Sequence, residues 1–194
     1  MKLDFREIIK LPNLISLFRL LLLIPCTILF QNISKNDSNR YYLLILCLTA
    51  FISDLLDGFI ARKTNQVSEF GKIIDPLADK ILVGVIILNL FLIHQIPAYY
   101  LVIILLRDVL ILLGGIFVTN KLGKVLSSNM LGKITVLSIG LFILIIILQI
   151  NPKSSVYKIF LFVSIILCIA SLAGYLLRAI ELIRWNKDET IQQN

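Results

Sequence analysis

Charge is scarce in this sequence. Of 194 residues only 16% are Asp, Glu, Lys or Arg, and there is one His, one Trp and three Cys. Cys26, Cys47 and Cys168 each stand singly in an apolar stretch with no Cys-x-x-Cys spacing. They are expected as small core or lipid-facing residues and imply neither a disulfide nor zinc. The single His94 stands at a short turn before Pro97, where a loop residue is expected rather than a ligand. No repeat, low-complexity tract or linker marks a second domain, and no stacking-aromatic or base-reading pattern points to nucleic acid.

What remains is apolar: 58% hydrophobic residues and a mean hydropathy of +0.93, against roughly 45–50% apolar residues in ordinary soluble domains. Runs close to the roughly 20 residues needed to cross a hydrocarbon core fall at Leu14–Phe30, Tyr41–Ile60, Ile73–Ile93, Ile96–Val118, Ile134–Ile150 and Tyr157–Leu177. The expected fold is an all-α integral membrane protein with six transmembrane helices, a single membrane-embedded domain over residues 1–194. The first run follows "MKLDFREIIKLPN", which carries acids among its bases and is not followed by a small-residue cleavage site, so no removable signal peptide is expected. That segment sets Phe5, Ile8 and Ile9 on one face, as a short N-terminal interfacial helix would, or serves as a charged anchor. Gly114 and Gly115 are expected to permit close helix contact or a local bend.

Orientation follows from the cations outside the runs. Lys2, Arg6, Lys10, Arg62, Lys63, Lys72, Lys121, Lys124, Lys133, Arg178, Arg184 and Lys187 fall on one side, and Lys35, Arg40, Lys153 and Lys158 on the other. Twelve against four puts both termini in the cytosol. The formal net charge of +7 then gathers where anionic headgroups and phosphorylated metabolites are found.

Against this background "SDLLDGFIARKTNQVSEFGKIIDPLADK" stands out. Asp54 and Asp57 are three apart near the end of the second run, and Asp75 and Asp79 are four apart at the start of the third. Each pair therefore lies on one helical face. Antiparallel spans would bring all four carboxylates to a similar shallow depth on the cytosolic side. Four negative charges so close raise one another's pKa and resist desolvation unless cations neutralise them. Oxygen-only donors suit hard divalent ions, Mg²⁺ or Mn²⁺ in a two-metal site able to bridge phosphate oxygens. Gly58 and Ala61 keep the helix surface small beside Arg62, a bidentate phosphate donor, and Gly71 allows a turn or close backbone approach. Two non-enzymatic readings stand beside this one: acids paired structurally with Arg62, Lys72 and Lys80, or a divalent-cation transporter, which would place its acids nearer the bilayer midplane.

Written out, Asp54-x2-Asp57-Gly58-x2-Ala61-Arg62-x8-Gly71-x3-Asp75-x3-Asp79 closely resembles the signature of the CDP-alcohol phosphotransferases at all eight positions. The resemblance implies that Asp54, Asp57, Asp75 and Asp79 hold the metals and that Gly58, Ala61 and Arg62 hold the CDP moiety. It also implies that Asp79 acts as general base when an acceptor hydroxyl attacks phosphorus and CMP leaves; a covalent Asp route ranks second. A homodimer, and a bacterial cytoplasmic membrane with the site facing the cytosol, are implied likewise.

Acceptor choice has to come from outside the signature. Arg107 is a charge within the fourth run that only function or pairing explains; phosphate binding is favoured, because Arg107 and Asp108, adjacent on a helix, point about 100° apart. Lys133 is either a phosphate ligand or a topological anchor. In size and in Asn13-x2-Ser16-x2-Arg19 the chain resembles the phosphatidylglycerophosphate synthases of the family, which join CDP-diacylglycerol to glycerol 3-phosphate. It departs from them at Ser16, where they commonly carry Thr, at Asp108 (Glu), at Gly115 (Arg) and at Thr135 (Lys). "RDV" at Arg107 to Val109 also resembles the cardiolipin synthases that use phosphatidylglycerol as acceptor. Inositol phosphate remains a third acceptor; choline- and ethanolamine-type amines gain nothing from Arg107.

Overall fold

The computed structural model describes residues 11–33, 38–63, 71–122 and 130–192, and within these the side chains of residues 13–33, 38–53, 56, 77–119 and 130–182. Over the described residues the chain is all helical, with seven α-helices and no strand. They divide into two units at Ile96 and Pro97. The first holds α1 (Leu11–Leu21), α2 (Leu23–Gln31), α3 (Ser38–Lys63) and α4 (Gly71–Leu92), and the second α5 (Ala98–Leu122), α6 (Met130–Ile147) and α7 (Ser155–Gln192).

The run expected as one helix over Leu14–Phe30 is two helices in one span. Pro25, in the first turn of α2, has no N–H to offer the Leu21 carbonyl, and its ring crowds that carbonyl, so regular helix is interrupted at Leu22. Flanking bonds from Leu22 N to Phe18 O and from Cys26 N to Leu22 O, both 3.1 Å, keep the axis continuous. Over the described residues, Asn13–Gln31, Ala98–Thr119, Met130–Ile147 and Ser155–Leu182 are each long and apolar enough to cross a bilayer. The runs at Tyr41–Ile60 and Ile73–Ile93 fall on α3 and α4, parts of which lie outside the described side chains.

The first helix, α1, is turned inside out relative to one in a soluble bundle, although apolar residues such as Phe30, Leu43, Ile87 and Leu90 are buried elsewhere in the unit. On α1 the buried residues are Asn13, Ser16 and Arg19, three apart, while Leu14, Phe18 and Leu21 are exposed. Lipid tails are as apolar as leucine, so burying Leu inside gains little; small and polar side chains that bond across helices hold such a bundle instead. Asn89 of α4 does this with α2, its amide reaching Thr27 Oγ1 at 3.4 Å while also donating to Val85 O at 2.8 Å. Cys26 and Cys47, expected singly, line one small cavity with Leu22, Leu46, Ala50, Leu82 and Ile86. Both are free thiols.

In the second unit Tyr100, Phe142 and Tyr157 pack edge to face across α5, α6 and α7, with centroids 5.1 and 5.0 Å apart. Gly114 and Gly115 do permit a close approach: a Cβ on Gly115 would sit 2.9 Å from the Tyr175 hydroxyl, and one on Gly114 3.4 Å from Tyr175 Cε1. The tyrosine side chain of α7 thus packs closely against the two glycines of α5. Thr135 is fully buried on α6, its Oγ1 2.7 Å from the Leu131 carbonyl and 3.0 Å from the Leu167 carbonyl of α7, so one hydroxyl proton is shared between two acceptors. Thr135→Val keeps the shape and removes that proton. The expected loss is about 1 kcal/mol, the usual worth of one interhelical hydrogen bond in a membrane, read as a lower unfolding midpoint in detergent.

The ends of α4 and α6 share one design. Beyond α4, His94 N bonds Phe91 O and Gln95 N bonds Leu90 O, both at 2.9 Å; beyond α6, Gln149 N bonds Ile146 O and Ile150 N bonds Ile145 O at 3.0 and 3.2 Å. This is the Schellman pattern, which needs a left-handed residue, and His94 (φ 59) and Gln149 (φ 61) supply it without glycine. His94 is accordingly a loop residue. Since a β-branched side chain resists this conformation, His94→Ile is expected to lower stability by about 1–2 kcal/mol, with His94→Gly at or above the parent. Thermal unfolding of the purified variants checks the order. At the start of α7, Ser154 Oγ accepts the Tyr157 N–H at 3.2 Å, a serine N-cap.

Candidate active site

Among the described residues of the first unit, the buried charge is Arg19. Its side chain is 0% exposed, within a helix whose neighbouring faces are apolar. A guanidinium there must have its donors engaged, because an unpaired buried charge is strongly unfavourable. Two partners come from two other helices. Nη1 makes an ion pair with Asp79 Oδ1 of α4, and Nε reaches Ser53 Oγ of α3 at 3.4 Å. Ser53 Oγ in turn donates to the Ala50 carbonyl at 2.7 Å, which fixes its rotamer.

One arginine therefore draws together the turn of α3 that leads directly into Asp54 and the turn of α4 that carries Asp79. The Asp79 side chain keeps 45% exposure. The pair is closed on the cation's side and open on the carboxylate's. Of the other expected residues, Asp54, Asp57, Gly58, Ala61 and Arg62 fall within α3 and Asp75 within α4, but their side chains lie outside the described residues. The same is true of the segment 64–70 and of the N-terminal stretch expected as an interfacial helix. Gly71 is the first residue of α4.

The donor chemistry fits a hard divalent cation. Asp79 is an accessible carboxylate, one helical turn from Asp75 on α4, and Asp54 and Asp57 are about one turn apart on α3. Among the described acids, Arg19 offsets Asp79.

In the second unit Arg107 is buried on α5. Its Nη2 lies 2.9 Å from Ser171 Oγ of α7, and its Nη1 makes an ion pair with Asp108. That pairing corrects the expectation from helix geometry. Although Cβ vectors of adjacent residues diverge by about 100°, the long arginine stem folds back far enough to close the gap. The guanidinium is not saturated: Nε is buried without a hydrogen-bond partner among the described residues. Gly132 of α6 faces it, since a Cβ there would come to 3.6 Å from Nη2 and 3.8 Å from Ser171 Oγ. Lys133 is exposed on the first turn of α6.

Residues 9–173 match the CDP-alcohol phosphatidyltransferase family. The chain belongs to that family. Three similar proteins bear the enzyme name CDP-diacylglycerol--glycerol-3-phosphate 3-phosphatidyltransferase. The one from Aquifex aeolicus (strain VF5) is 32% identical over 180 residues, covering 90% of this chain and 98% of its own. That from Mycoplasma pneumoniae (strain ATCC 29342 / M129 / Subtype 1) is 33% identical over 141 residues, 64% of this chain and 61% of its own. That from Bacillus subtilis (strain 168) reaches 41% identity over 90 residues, 46% of each chain.

For a CDP-alcohol phosphatidyltransferase, the residue that the signature leaves out is Arg19. A lone arginine inside the first apolar run is itself a signal, since a charge within a span is rare and engaged. What no local pattern supplies is its partners, 34 and 60 positions away. Ser53 and Ser171 carry no distinctive sequence signal.

Proposed function

We propose that this chain transfers a phosphatidyl group from CDP-diacylglycerol to the hydroxyl of glycerol 3-phosphate, giving phosphatidylglycerophosphate and CMP. One observation carries the reading: the eight-position signature lies on α3 and α4 of a family member that spans 98% of the Aquifex aeolicus enzyme bearing that activity's name. Asp54, Asp57, Asp75 and Asp79 hold the metal ions, Mg²⁺ or Mn²⁺. Gly58 and Ala61 leave room for the cytidine diphosphate against α3, and Arg62 grips its phosphates through paired donors.

When bound, the metal ions offset negative charge that builds on the diphosphate. Asp79 accepts the proton from the acceptor hydroxyl as that oxygen attacks the phosphorus carrying the diacylglycerol, and the bond to CMP breaks. Arg19, on Oδ1 of Asp79, directs the proton to the other oxygen. Arg107 and Lys133 bind the phosphate of the acceptor. Arg107 keeps a buried donor at Nε that no described residue accepts, and Gly132 lies beside its Nη2.

The membrane setting follows the same reading. α3 and α4, 26 and 22 residues long, complete six spans with the four apolar segments. Both termini and the acid-bearing helix ends face the cytosol of a bacterial cytoplasmic membrane, and the chain acts as one domain, paired as a homodimer. Mass spectrometry of the lipid formed from CDP-diacylglycerol and glycerol 3-phosphate tests the assignment. A product with two phosphates and a free hydroxyl on the new glycerol is the expected result; an unchanged lipid pool counts against it.

A further inference from the structure

We propose that Arg19 is a positioning residue of the transferase site, one guanidinium that sets the spacing between the acid-bearing turns of α3 and α4 and commits one oxygen of Asp79. The inference rests on the metal-dependent reading above.

Three observations lead here. Arg19 is wholly buried in a helix that otherwise turns leucine and phenylalanine outward, so it is held against the ordinary preference of its surroundings. Two of its partners stand at the places that matter for the acid cluster: Ser53 immediately before Asp54, and Asp79 the last acid. The pair is also asymmetric in exposure, 0% for Arg19 and 45% for Asp79. A carboxylate bound from behind by a rigid cation presents its other oxygen forward.

A structural role alone explains this poorly. Three packed membrane helices can be joined by small residues and neutral hydrogen bonds, as Asn89 and Thr27 do in the same unit. A buried ion pair is weak support for stability, and apolar replacements often serve as well. What an arginine adds is a planar fork with donors at fixed angles, able to hold two acceptors from two helices at one separation. Lysine carries the same charge on a flexible stem and cannot reproduce that geometry. Arg19→Lys therefore separates position from charge.

The test uses the full chain in lipid nanodiscs. Free Mn²⁺ is followed by electron paramagnetic resonance without substrate, and CMP release is followed with CDP-diacylglycerol and glycerol 3-phosphate. Arg19→Lys is expected to weaken Mn²⁺ binding by about tenfold, the range seen when an outer partner of a ligand is lost. It should lower kcat by about tenfold, with the KM for glycerol 3-phosphate within about twofold. Ser53→Ala, which keeps the charge pair and removes one anchor, is expected to weaken Mn²⁺ binding by about threefold, and carries the test should Arg19→Lys fail to fold.

Mn²⁺ binding at the parent's strength in either folded variant overturns the proposal, whatever happens to kcat. If the parent releases no CMP yet binds Mn²⁺ in an Arg19-dependent way, the positioning role stands and the transferase reading falls. If the parent releases CMP and Arg19→Lys matches it in both measurements, the reverse holds.

Discussion

Asp57→Asn is expected to reduce CMP release by about 10²–10³-fold or more, the scale on which single electrostatic contacts to a reacting group act, while leaving the thermal unfolding midpoint where it was or slightly higher. Asn has the shape of Asp, so α3 keeps its packing. On the proposed reading the substitution removes one of four clustered carboxylates that repel one another when no cation is bound, so metal-free protein is expected to lose nothing in stability. Asp79→Asn is expected to behave differently although it stands in the same signature. Activity should fall by about 10²–10⁴-fold, the contribution of a general base, and the unfolding midpoint should fall as well. The difference comes from Arg19, which is fully buried and ion-paired to Asp79. Removing the charge of one member of such a pair costs up to about 3–5 kcal/mol. Parallel activity and melting measurements on the two variants separate these contributions. Full activity in Asp57→Asn, or equal midpoints for the two, contradicts the arrangement described.

Arg107→Ala is the second large effect. If Arg107 binds the acceptor's phosphate, its removal deletes a charge-assisted hydrogen bond worth about 1.5–3 kcal/mol. The KM for glycerol 3-phosphate should then rise by about 10- to 100-fold, with kcat changing by less than about threefold, the signature of lost ground-state binding. The structure also gives Arg107 an internal role, with Ser171 and Asp108 as partners. Ser171→Ala is the matching control. It loosens the arginine without removing it, and is expected to raise the same KM by only about threefold, a few tenths of a kcal/mol below one neutral hydrogen bond. An unchanged KM in Arg107→Ala removes this residue from the acceptor site and leaves it as an α5–α7 tie.

How much of this could be read from the chain depends on the range of the interaction involved. The all-helical character follows from apolar run length alone, because a bilayer leaves the backbone few alternatives. The acid signature is legible because its meaning lies in spacing along two adjacent helices, Asp54 to Asp57 and Asp75 to Asp79. The division of the first span into α1 and α2 was within reach as well, since Pro25 sits inside the run; hydropathy averaging simply passes over it. The pairing of Arg107 with Asp108 is not legible from Cβ direction, because arginine's stem is long enough to bridge the divergence. Arg19 shows the limit most clearly. Its presence in an apolar run is visible, but its union with Ser53 and Asp79 is a property of three helices packed together. The departures at Gly115 and Thr135 likewise acquire a physical account only in three dimensions: one lies beneath the Tyr175 hydroxyl and the other holds α6 to α7.

The central claim is that this family member uses glycerol 3-phosphate as its acceptor. The most direct measurement is CMP release by the purified protein with CDP-diacylglycerol and Mg²⁺, offered glycerol 3-phosphate in one reaction and phosphatidylglycerol in another. Release with glycerol 3-phosphate alone is the expected result. Release with phosphatidylglycerol alone would contradict it and make the chain a cardiolipin synthase, with Arg107 reading a lipid phosphodiester.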